Sequence, residues 1–465
     1  MHRLIKLILR HKLDIILISG SYSINVFVHS LGLKRAVDVF TDAGVFVYSA
    51  KLISEGLVPY RDFFLSNSSF LLYLSSIVLK VVDYDMIAFN FIYILWFFSS
   101  IVPIYFIVLR FTKNKIAALL SITLFSTFAE LVQWDAHSFA LRQASLPFLA
   151  FALFFIFVKR KLITAGILLA FFALSIPTNI LISSSLILTF LLGEFIFEQR
   201  NAQKLFLNNL GLIASFAITL LLGYFLILIP QNSLQNLLGY QLNRPLAPYQ
   251  YRIDLLKGEL NSNWPILILG LLGSLILNKR VKLFGLFNIL TVLIVVFTGA
   301  SFYPHYITIF AVGFAISAGI LIGSFEKSII TTTLISVLIF YFLYNTTFQY
   351  LKYHLIEKTT PAFFETVKQL QSLPEPIFTY EPVYALYAKK KLTYYYFTAD
   401  MRYFRVEGKN LSGSEYLSIL NKSNTVLLQH SWASFIPSSS IDYINSQFKL
   451  RYSDPENQIF VRDNL

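Results

Sequence analysis

The side chains best suited to chemistry in this sequence lie in one stretch that follows the first long apolar run. Asp38 and Asp42 precede a helix-like segment, and a Pro-Tyr-Arg-Asp-Phe run at 59–63 follows it. A carboxylate can accept the proton of an attacking hydroxyl group, and an arginine binds anionic groups through several donors. The stretch therefore combines candidate general bases with a candidate anion-binding arginine.

Other kinds of chemistry have little support. The chain has no cysteine, which excludes disulfides, thiolate catalysis and cysteine-based metal sites. Its 7 histidines are scattered, so they offer no zinc cluster. A magnesium or manganese site would need Asp38, Asp42, Asp62 and Asp135 to converge, and we predict neither a metal nor another cofactor. Asp83-Tyr84-Asp85 matches a very short pattern of nucleotide-sugar enzymes, and we interpret it as chance.

The elements that position these residues belong to a membrane protein. Hydrophobic residues make up 56% of the chain and charged residues 14%, whereas a soluble protein has roughly a quarter of its residues charged. The apolar runs have lengths near twenty, the number that crosses a hydrocarbon core. We predict about eleven spans, at 13–31, 87–109, 116–134, 143–158, 162–178, 179–197, 206–229, 264–277, 283–300, 306–323 and 329–346. Because no cleavage site follows the basic start, the first span is predicted to be retained.

The charges between these spans predict the orientation. With the N-terminus in the cytoplasm, every short inside loop carries Lys or Arg, whereas the outside loops near Pro177 and Pro304 carry none. The C-terminal region then lies outside. Most of the net charge of +13 belongs to these short loops, which argues against a nucleic-acid partner.

The first outer connection contains two predicted helices. Thr41-Asp42 is a helix start, and Gly56 with Pro59 is a stop. Phe46, Ala50, Ile53 and Leu57 then share one face, and Gly44, Tyr48, Lys51 and Glu55 share the other. Such an amphipathic helix is expected to lie flat on the membrane interface. A second apolar helix at about 69–82 is expected to rest against the membrane without crossing it.

The pattern changes near residue 348. A helix is predicted after Thr360-Pro361, another after Ser412, a strand at 425–429, and a hairpin with its turn at Asp454-Pro455. We therefore predict a polytopic α-helical membrane domain at 1–346, with its amphipathic first outer loop at 32–86. A soluble extracytoplasmic α/β domain is predicted at 347–465.

The first outer loop resembles that of the GT-C membrane glycosyltransferases, the multispan enzymes related to protein mannosyltransferases and aminoarabinose transferases. The resemblance rests on Asp42, Gly44, Tyr48, Ala50, Glu55-Gly56 and the run Pro59-Tyr60-Arg61-Asp62-Phe63, in that spacing. The run Ser301–Tyr306 before a span and the α/β tail are similar in a looser way. Two departures stand out: Ala43 follows Asp42 where members often carry Glu, and Ser66-Asn67-Ser68-Ser69 replaces a His-Lys-Pro-Pro-like element.

The resemblance implies an inverting transferase of the cell envelope that moves a sugar from a polyprenyl-phosphate donor to an outward-facing lipid, glycan or protein acceptor. It implies Asp42 as the general base, with Asp38 as the alternative, and no metal or an optional divalent ion. The departing phosphate needs cations nearby, for which Arg61, Arg142 and Arg244 come first and Arg252, Lys51 and Lys257 second. The remaining substrate-contact candidates are Tyr60, Asp62, Asp135, His305 and Tyr306, and His137 lies beside Asp135.

Two other functions stay open. A lipid or polysaccharide flippase or transporter would need no chemistry, but such proteins carry charges inside their helix bundles, and the predicted spans are nearly free of them. A polysaccharide polymerase or ligase would share the lipid-linked donor and differ in its acceptor. The sequence does not identify the sugar or the acceptor.

Overall fold

The computed structural model describes residues 12–33, 42–63, 65, 67–128, 139–198, 202–227, 248–276, 282–298, 304–325, 361–393, 412–430 and 436–463, with isolated helical positions between 333 and 348. Up to residue 325 the described residues are mostly helical. The helices are α1 Lys12–Ser30, α2 Asp42–Ser54, α3 Phe70–Val81, α4 Met86–Phe98, α5 Ile101–Thr112, α6 Lys115–Ser126, α7 Leu141–Phe154, α8 Leu162–Ser175, α9 Thr178–Glu198, α10 Ala202–Ile227, α11 Tyr249–Ile276, α12 Lys282–Thr298 and α13 Phe310–Ser324.

The helices confirm a polytopic membrane protein. Among the described residues, six continuous helical stretches are long and apolar enough to cross a bilayer, one of them being α4 and α5 together, and four shorter apolar helices also coincide with predicted spans. The eleventh predicted span, 329–346, is described only at isolated positions. α3 has 12 residues and a helical rise near 1.5 Å each, so it is too short to cross a core of about 30 Å. Its length agrees with the helix that the sequence predicts to rest against the membrane, and its position relative to the membrane stays a prediction.

The second predicted span is interrupted between α4 and α5. At Ser99-Ser100 the helix tightens into a turn, where the Ser100 N–H donates to Phe97 O and the Val102 N–H donates to Ser99 O, each at 3.2 Å. Pro103 explains the position, because its ring would clash with the carbonyl group of Ser99 and it has no N–H to donate.

The chain divides into two compact units, and the division does not follow its order. The first unit comprises Met1–Gly32, Phe91–Ile227 and Pro245–Ile356. The second comprises Leu33–Asn90, Leu228–Arg244 and Glu357–Leu465, so the connection between α1 and α4 belongs with the C-terminal region.

Small residues allow close helix packing in the first unit. A Cβ atom at Gly166 of α8 would lie 2.5 Å from the carbonyl oxygen of Leu212 in α10, and one at Gly273 of α11 would lie 2.2 Å from that of Ser317 in α13. Within a membrane, such close approach supplies dispersion contacts where no hydrophobic driving force exists between helices. These glycines therefore allow the neighbouring helices to pack against each other.

Two buried carboxylates in the first unit are paired. Asp14 of α1 accepts a hydrogen bond from Tyr105 at 3.0 Å and contacts Lys115 Nζ at 2.9 Å. Glu194 of α9 contacts Arg160 Nη1 at 2.7 Å and accepts a hydrogen bond from the Asn209 amide at 2.8 Å. A buried charge needs such partners, so both groups have a structural explanation.

The C-terminal region is a small α/β domain, as predicted. Its four-stranded sheet has the order β1-β2-β4-β3, with β1 parallel to β2 and the other pairs antiparallel. Its elements are α14 Pro361–Gln371, β1 Ile377–Phe378, α15 Pro382–Tyr387, α16 Gly413–Asn421, β2 Thr425–Gln429, α17 Ser438–Gln447, β3 Phe448–Ser453 and β4 Asn457–Arg462. Apolar clusters formed by strands and helices make up its core.

Local sequence explains several of these boundaries. Ser412 and Glu415 form the reciprocal capping box that begins α16. The Asp454 carboxylate accepts hydrogen bonds from the backbone N–H groups of Glu456 and Asn457, each at 2.7 Å, which closes the β3–β4 turn. The sequence patterns did not predict β1, α15 or α17, because these elements are short or lack a clear apolar period.

Candidate functional site

The run at 59–63 forms a tight turn in the second unit. The Tyr60 backbone N–H donates to the Phe63 carbonyl group at 2.7 Å, and the Tyr60 hydroxyl donates to the Asn67 carbonyl group. Tyr60 has φ +66°, a left-handed conformation that a bulky side chain rarely adopts. Such a conformation costs free energy of order 1–3 kcal/mol, persists only where the surroundings require it, and is found preferentially at functional sites.

Arg61 and Asp62 form an ion pair on the surface of this turn. Arg61 Nε donates to Asp62 Oδ1 at 2.8 Å and Nη2 to Oδ2 at 2.7 Å, and the Val58 backbone N–H donates to Oδ2 at 2.7 Å. The Arg61 hydrogen bonds, followed by that of Val58, lower the pKa of Asp62 to about 2. Asp62 is therefore a poor general base, and its described contacts orient Arg61.

Arg61 keeps an accessible charged group. Its side chain is 62% exposed, although Asp62 accepts two of its hydrogen bonds. The hydrogen bonds and the charge of Asp62 raise the pKa of Arg61, so the guanidinium is permanently charged. A planar, oriented guanidinium with an exposed edge is well suited to an anionic oxygen.

The helix that begins at Asp42 starts and stops where the sequence predicts. α2 ends in a Schellman motif: the N–H of Leu57 donates to Leu52 O at 3.0 Å and that of Gly56 to Ile53 O at 3.0 Å, with Gly56 at φ +95°. The side chain of Asp42 lies outside the described atoms. Its role as a base stays a prediction.

The expected position of α2 on the membrane surface is wrong. Protein covers both of its faces, since Phe46 and Ile53 are buried and so are Tyr48 and Lys51. Burial lowers the pKa of Lys51, and its ammonium group donates to the Lys390 carbonyl oxygen at 2.9 Å. Lys51 is therefore a packing residue and a poor candidate for binding phosphate.

The Asp83-Tyr84-Asp85 run is a structural turn between α3 and α4. Asp85 accepts hydrogen bonds from the backbone N–H groups of Ile87 at 2.8 Å and Ala88 at 3.0 Å, which begins α4. The Tyr84 hydroxyl lies 2.9 Å from that of Ser54 in α2. These contacts account for the run without a metal or nucleotide.

In the first unit, Arg142 lies in the first turn of α7, beside a buried polar cluster. The amide of Gln143 donates to Thr308 at 3.4 Å, which joins α7 to the 3₁₀ helix Pro304–Ile309 that contains His305 and Tyr306. The backbones of Arg142, His305 and Tyr306 thus lie on contacting elements. The side chains of His305 and Tyr306 are outside the described atoms.

This polar cluster was not predicted from the sequence. Asn179 Nδ2 donates to Phe172 O at 3.0 Å and lies 3.4 Å from Ser145 Oγ. Single Gln, Asn and Ser residues inside apolar runs carry no local pattern. The only signal was their position next to the predicted outer ends of the spans.

The basic residues ranked second for binding the phosphate have other partners in the structure. Arg252 is buried and its Nη1 donates to Val296 O at 2.7 Å, whereas the exposed Lys257 lies 3.4 Å from Asp254. Asp38, Asp135, His137 and Arg244 are outside the described residues. Within the described part of the chain, no three His, Cys, Asp or Glu residues are grouped for a metal ion. The metal-free site stays a prediction.

Comparison with known proteins identifies solved structures with a similar fold. No protein-family model and no curated protein matches the sequence. Two solved structures of ArnT from Cupriavidus metallidurans, one in the apo state and one bound to undecaprenyl phosphate, are each 10% identical to this chain with a TM-score of 0.71. Each alignment covers 95% of this chain and 97% of that chain. ArnT is an aminoarabinose transferase of the GT-C group, and this chain shares the fold of ArnT over nearly its whole length.

Proposed function

We propose that this protein is an inverting glycosyltransferase that transfers a sugar from a polyprenyl-phosphate donor to an acceptor on the outer face of the membrane. The observation that carries the proposal is the ArnT-like fold over nearly the whole chain, together with the Tyr60–Asp62 turn in the first loop. One of the two similar structures holds undecaprenyl phosphate. Since a fold hosts many functions, the residues of this chain have to supply the argument.

The chemistry needs few groups. The acceptor hydroxyl oxygen attacks the anomeric carbon from the face opposite the phosphate and forms the new glycosidic bond. The carbon–oxygen bond to phosphate breaks, and its electron pair leaves with the phosphate oxygen. Because phosphate is a good leaving group, one carboxylate that takes the hydroxyl proton suffices. We assign that role to Asp42, the first residue of α2.

Arg61 is the described residue best suited to the departing phosphate. Its exposed guanidinium can donate to anionic oxygens, and Asp62 holds it in one orientation. A cation prepared in this way stabilises the charge that develops as the sugar–phosphate bond breaks. Arg142 is the corresponding candidate in the first unit.

A transfer assay tests the base. The purified protein is placed in lipid vesicles with a panel of polyprenyl-phosphate sugars and a cell-envelope extract that supplies acceptor hydroxyl groups. Release of polyprenyl phosphate is measured, so the acceptor need not be identified. Asp42→Asn should lower release by roughly 10²- to 10⁴-fold, the usual contribution of a general base. Asp254→Asn, at an exposed carboxylate, should leave release unchanged. Equal release by Asp42→Asn and the wild type would contradict the assignment.

The orientation proposed from the loop charges can be tested directly, because the chain contains no cysteine. Lys449→Cys introduces a thiol on exposed β3, and Lys161→Cys introduces one in a basic loop between α7 and α8. A membrane-impermeant maleimide should label only the first variant in intact cells. Labelling of the second variant alone would reverse the topology.

The flippase reading is less favoured by the described residues. Buried ionisable groups within spans often mark a transport pathway, but Asp14 and Glu194 are each paired with a basic residue and a second hydrogen-bond donor. Movement of intact donor across vesicles without release of polyprenyl phosphate would support transport.

A further inference from the structure

The edge of the C-terminal sheet continues beyond β1 into a short extended segment. The Ile377 N–H donates to Lys391 O at 2.8 Å, and the Thr393 N–H donates to Ile377 O at 2.8 Å. Because successive backbone groups of an extended chain point to opposite sides, these bonds leave the N–H of Leu392 directed away from β1. That donor is buried, so it needs an acceptor.

The acceptor comes from the first outer loop. The Leu392 N–H donates to the Tyr48 hydroxyl at 2.8 Å, across 344 residues of sequence. Tyr48 is 1% exposed and Leu392 3% exposed, so water cannot replace this bond. Loss of the hydroxyl would leave a buried backbone donor unsatisfied, which costs more than the bond itself contributes.

Lys51 makes the second contact, one turn further along the same face of α2. Its ammonium group donates to Lys390 O at 2.9 Å, lies 4.0 Å from Glu55 and stands 5.2 Å from the centre of the Tyr48 ring. A charged lysine that is only 7% exposed needs such partners, because water cannot solvate its ammonium group. Both contacts therefore end on the backbone of residues 390–392, whose positions β1 fixes.

Gly44 supplies the third contact. A Cβ atom at this position would lie 3.0 Å from Val383 Cβ and 3.3 Å from its backbone nitrogen. Val383 belongs to α15 and to the core of the C-terminal domain. Gly44, Tyr48 and Lys51 thus place one whole face of α2 against segment 382–392.

The remaining loop is held by the same segment. Lys389 Nζ donates to Asp83 O at 3.0 Å in the turn after α3. Segment 382–392 therefore contacts both α2 and the turn between α3 and α4. Loop and C-terminal domain form one packed body in the second unit.

We propose that the C-terminal domain is a positioning element for the first loop, and that Tyr48 and Lys51 are the positioning residues through which it acts. The consequence for catalysis rests on the proposed function, because α2 begins with the proposed base. A displacement of about 1 Å at a reacting group can cost about 10²-fold in rate. A fixed α2 start would therefore raise kcat and leave donor binding largely unchanged.

Tyr48→Phe in the full-length protein tests this role, because it keeps the ring and removes the hydroxyl group that accepts the Leu392 hydrogen bond. Deuterium uptake should rise in the peptide that covers α2, and kcat for polyprenyl phosphate release should fall roughly 10- to 100-fold with KM changed less than about threefold. Lys51→Met should behave similarly, and Lys51→Arg, which keeps a donor, should recover part of kcat.

Tyr22→Phe is the matched control. It removes a similar tyrosine–backbone bond, from Tyr22 to Leu95 O at 2.9 Å in the first unit, and should change neither α2 exchange nor kcat. Unchanged α2 exchange in Tyr48→Phe would overturn the proposal. Increased exchange with an unchanged kcat would show that the contact holds α2 in place without serving catalysis, and would also overturn the proposal. If Asp42→Asn retains full activity, the proposed base fails, and the exchange data still decide the positioning contact.

A disulfide between Gly44→Cys and Val383→Cys tests whether the contact is permanent. Cβ atoms in disulfides lie about 3.5–4.5 Å apart, so a small shift from 3.0 Å makes the pair suitable. The oxidised protein should be at least as active as its own reduced form. Activity lost on oxidation and regained on reduction would show that the domain has to move, and would overturn the proposal.

Discussion

One sequence motif in the first loop produces two regions with opposite physical character. Helix α2, which carries Gly44, Tyr48 and Ala50 of the motif together with Lys51, is buried on both faces. The turn at 59–63, which carries Tyr60, Arg61 and Asp62, presents an ion pair at the surface. The two regions are joined by only a few residues.

The difference shows that a motif can combine packing with presentation of charge. In α2, Lys51 and Tyr48 make hydrogen bonds with backbone groups of the C-terminal domain. In the turn, Arg61 is 62% exposed, and among the described residues its carboxylate partner is its own neighbour. Substitutions in α2 should therefore affect stability first, and substitutions in the turn should affect function much more than stability.

The largest effect is expected for Tyr48→Ala. Removing a ring that is 1% exposed leaves a cavity and an unsatisfied Leu392 N–H, at a cost of about 3–5 kcal/mol. The melting temperature in detergent should fall and the second unit should become sensitive to protease. An unchanged melting temperature would mean that α2 is not a packing helix.

Arg61→Gln should give the converse result. The side chain is 62% exposed, so the melting temperature should stay within the error of measurement. Hydrogen bonds to charged groups contribute about 1.5–3 kcal/mol, so kcat/KM for polyprenyl phosphate release should fall roughly 10- to 100-fold. Arg451→Gln on exposed β3 is the matched control. A loss of stability without a loss of activity would remove the contrast between the two regions.

Gly44→Ala should have a smaller effect than Tyr48→Ala. The new methyl group would meet Val383 at 3.0 Å, which forces α2 and α15 apart by a few tenths of an ångström and costs of order 1 kcal/mol. Gly20→Ala, where nothing lies within 4 Å, is the control and should be tolerated. Equal melting temperatures for the two variants would show that the α2–α15 contact is loose.

The smallest effect concerns the pH dependence of the turn. The folded pKa of Asp62 is about 2 against an ordinary 3.8, so the ion pair stabilises the turn fully above pH 3.8 and loses its effect as the pH falls through 2. The difference in melting temperature between wild type and Asp62→Asn should be constant from pH 5 to 8 and shrink below pH 4. A difference that shrinks already near pH 6 would indicate another titrating group.

Much of the fold could be predicted because its causes are local. Apolar runs of spanning length, the start of α2 and its stop at Gly56, and the Ser412 capping box each depend on neighbours in the chain. The same holds for strand β2 and the Asp454 turn. Arg61 and Asp62 also pair within adjacent positions, so the sequence shows their association.

The site was less predictable where distant segments meet. Lys51 has the appearance of a surface cation and is in fact a buried donor, because its partner Lys390 lies 339 residues away. The buried Gln143–Thr308 contact spans 165 residues and likewise leaves no local pattern. The partner of a single polar residue can be identified in such cases only from the folded structure.

The sequence alone determined that this is a membrane protein of many helices with a small α/β domain and one charged turn in its first loop. Those features follow from hydrophobicity, helix capping and turn chemistry, which act over a few residues. The tertiary structure decided that the polar face of α2 packs on segment 382–392, because that face is equally compatible with water, a membrane surface or another protein segment. The backbone groups that bind this face belong to residues 390 and 392, which are held in place by pairing with β1 and, through β1, with the distant β2.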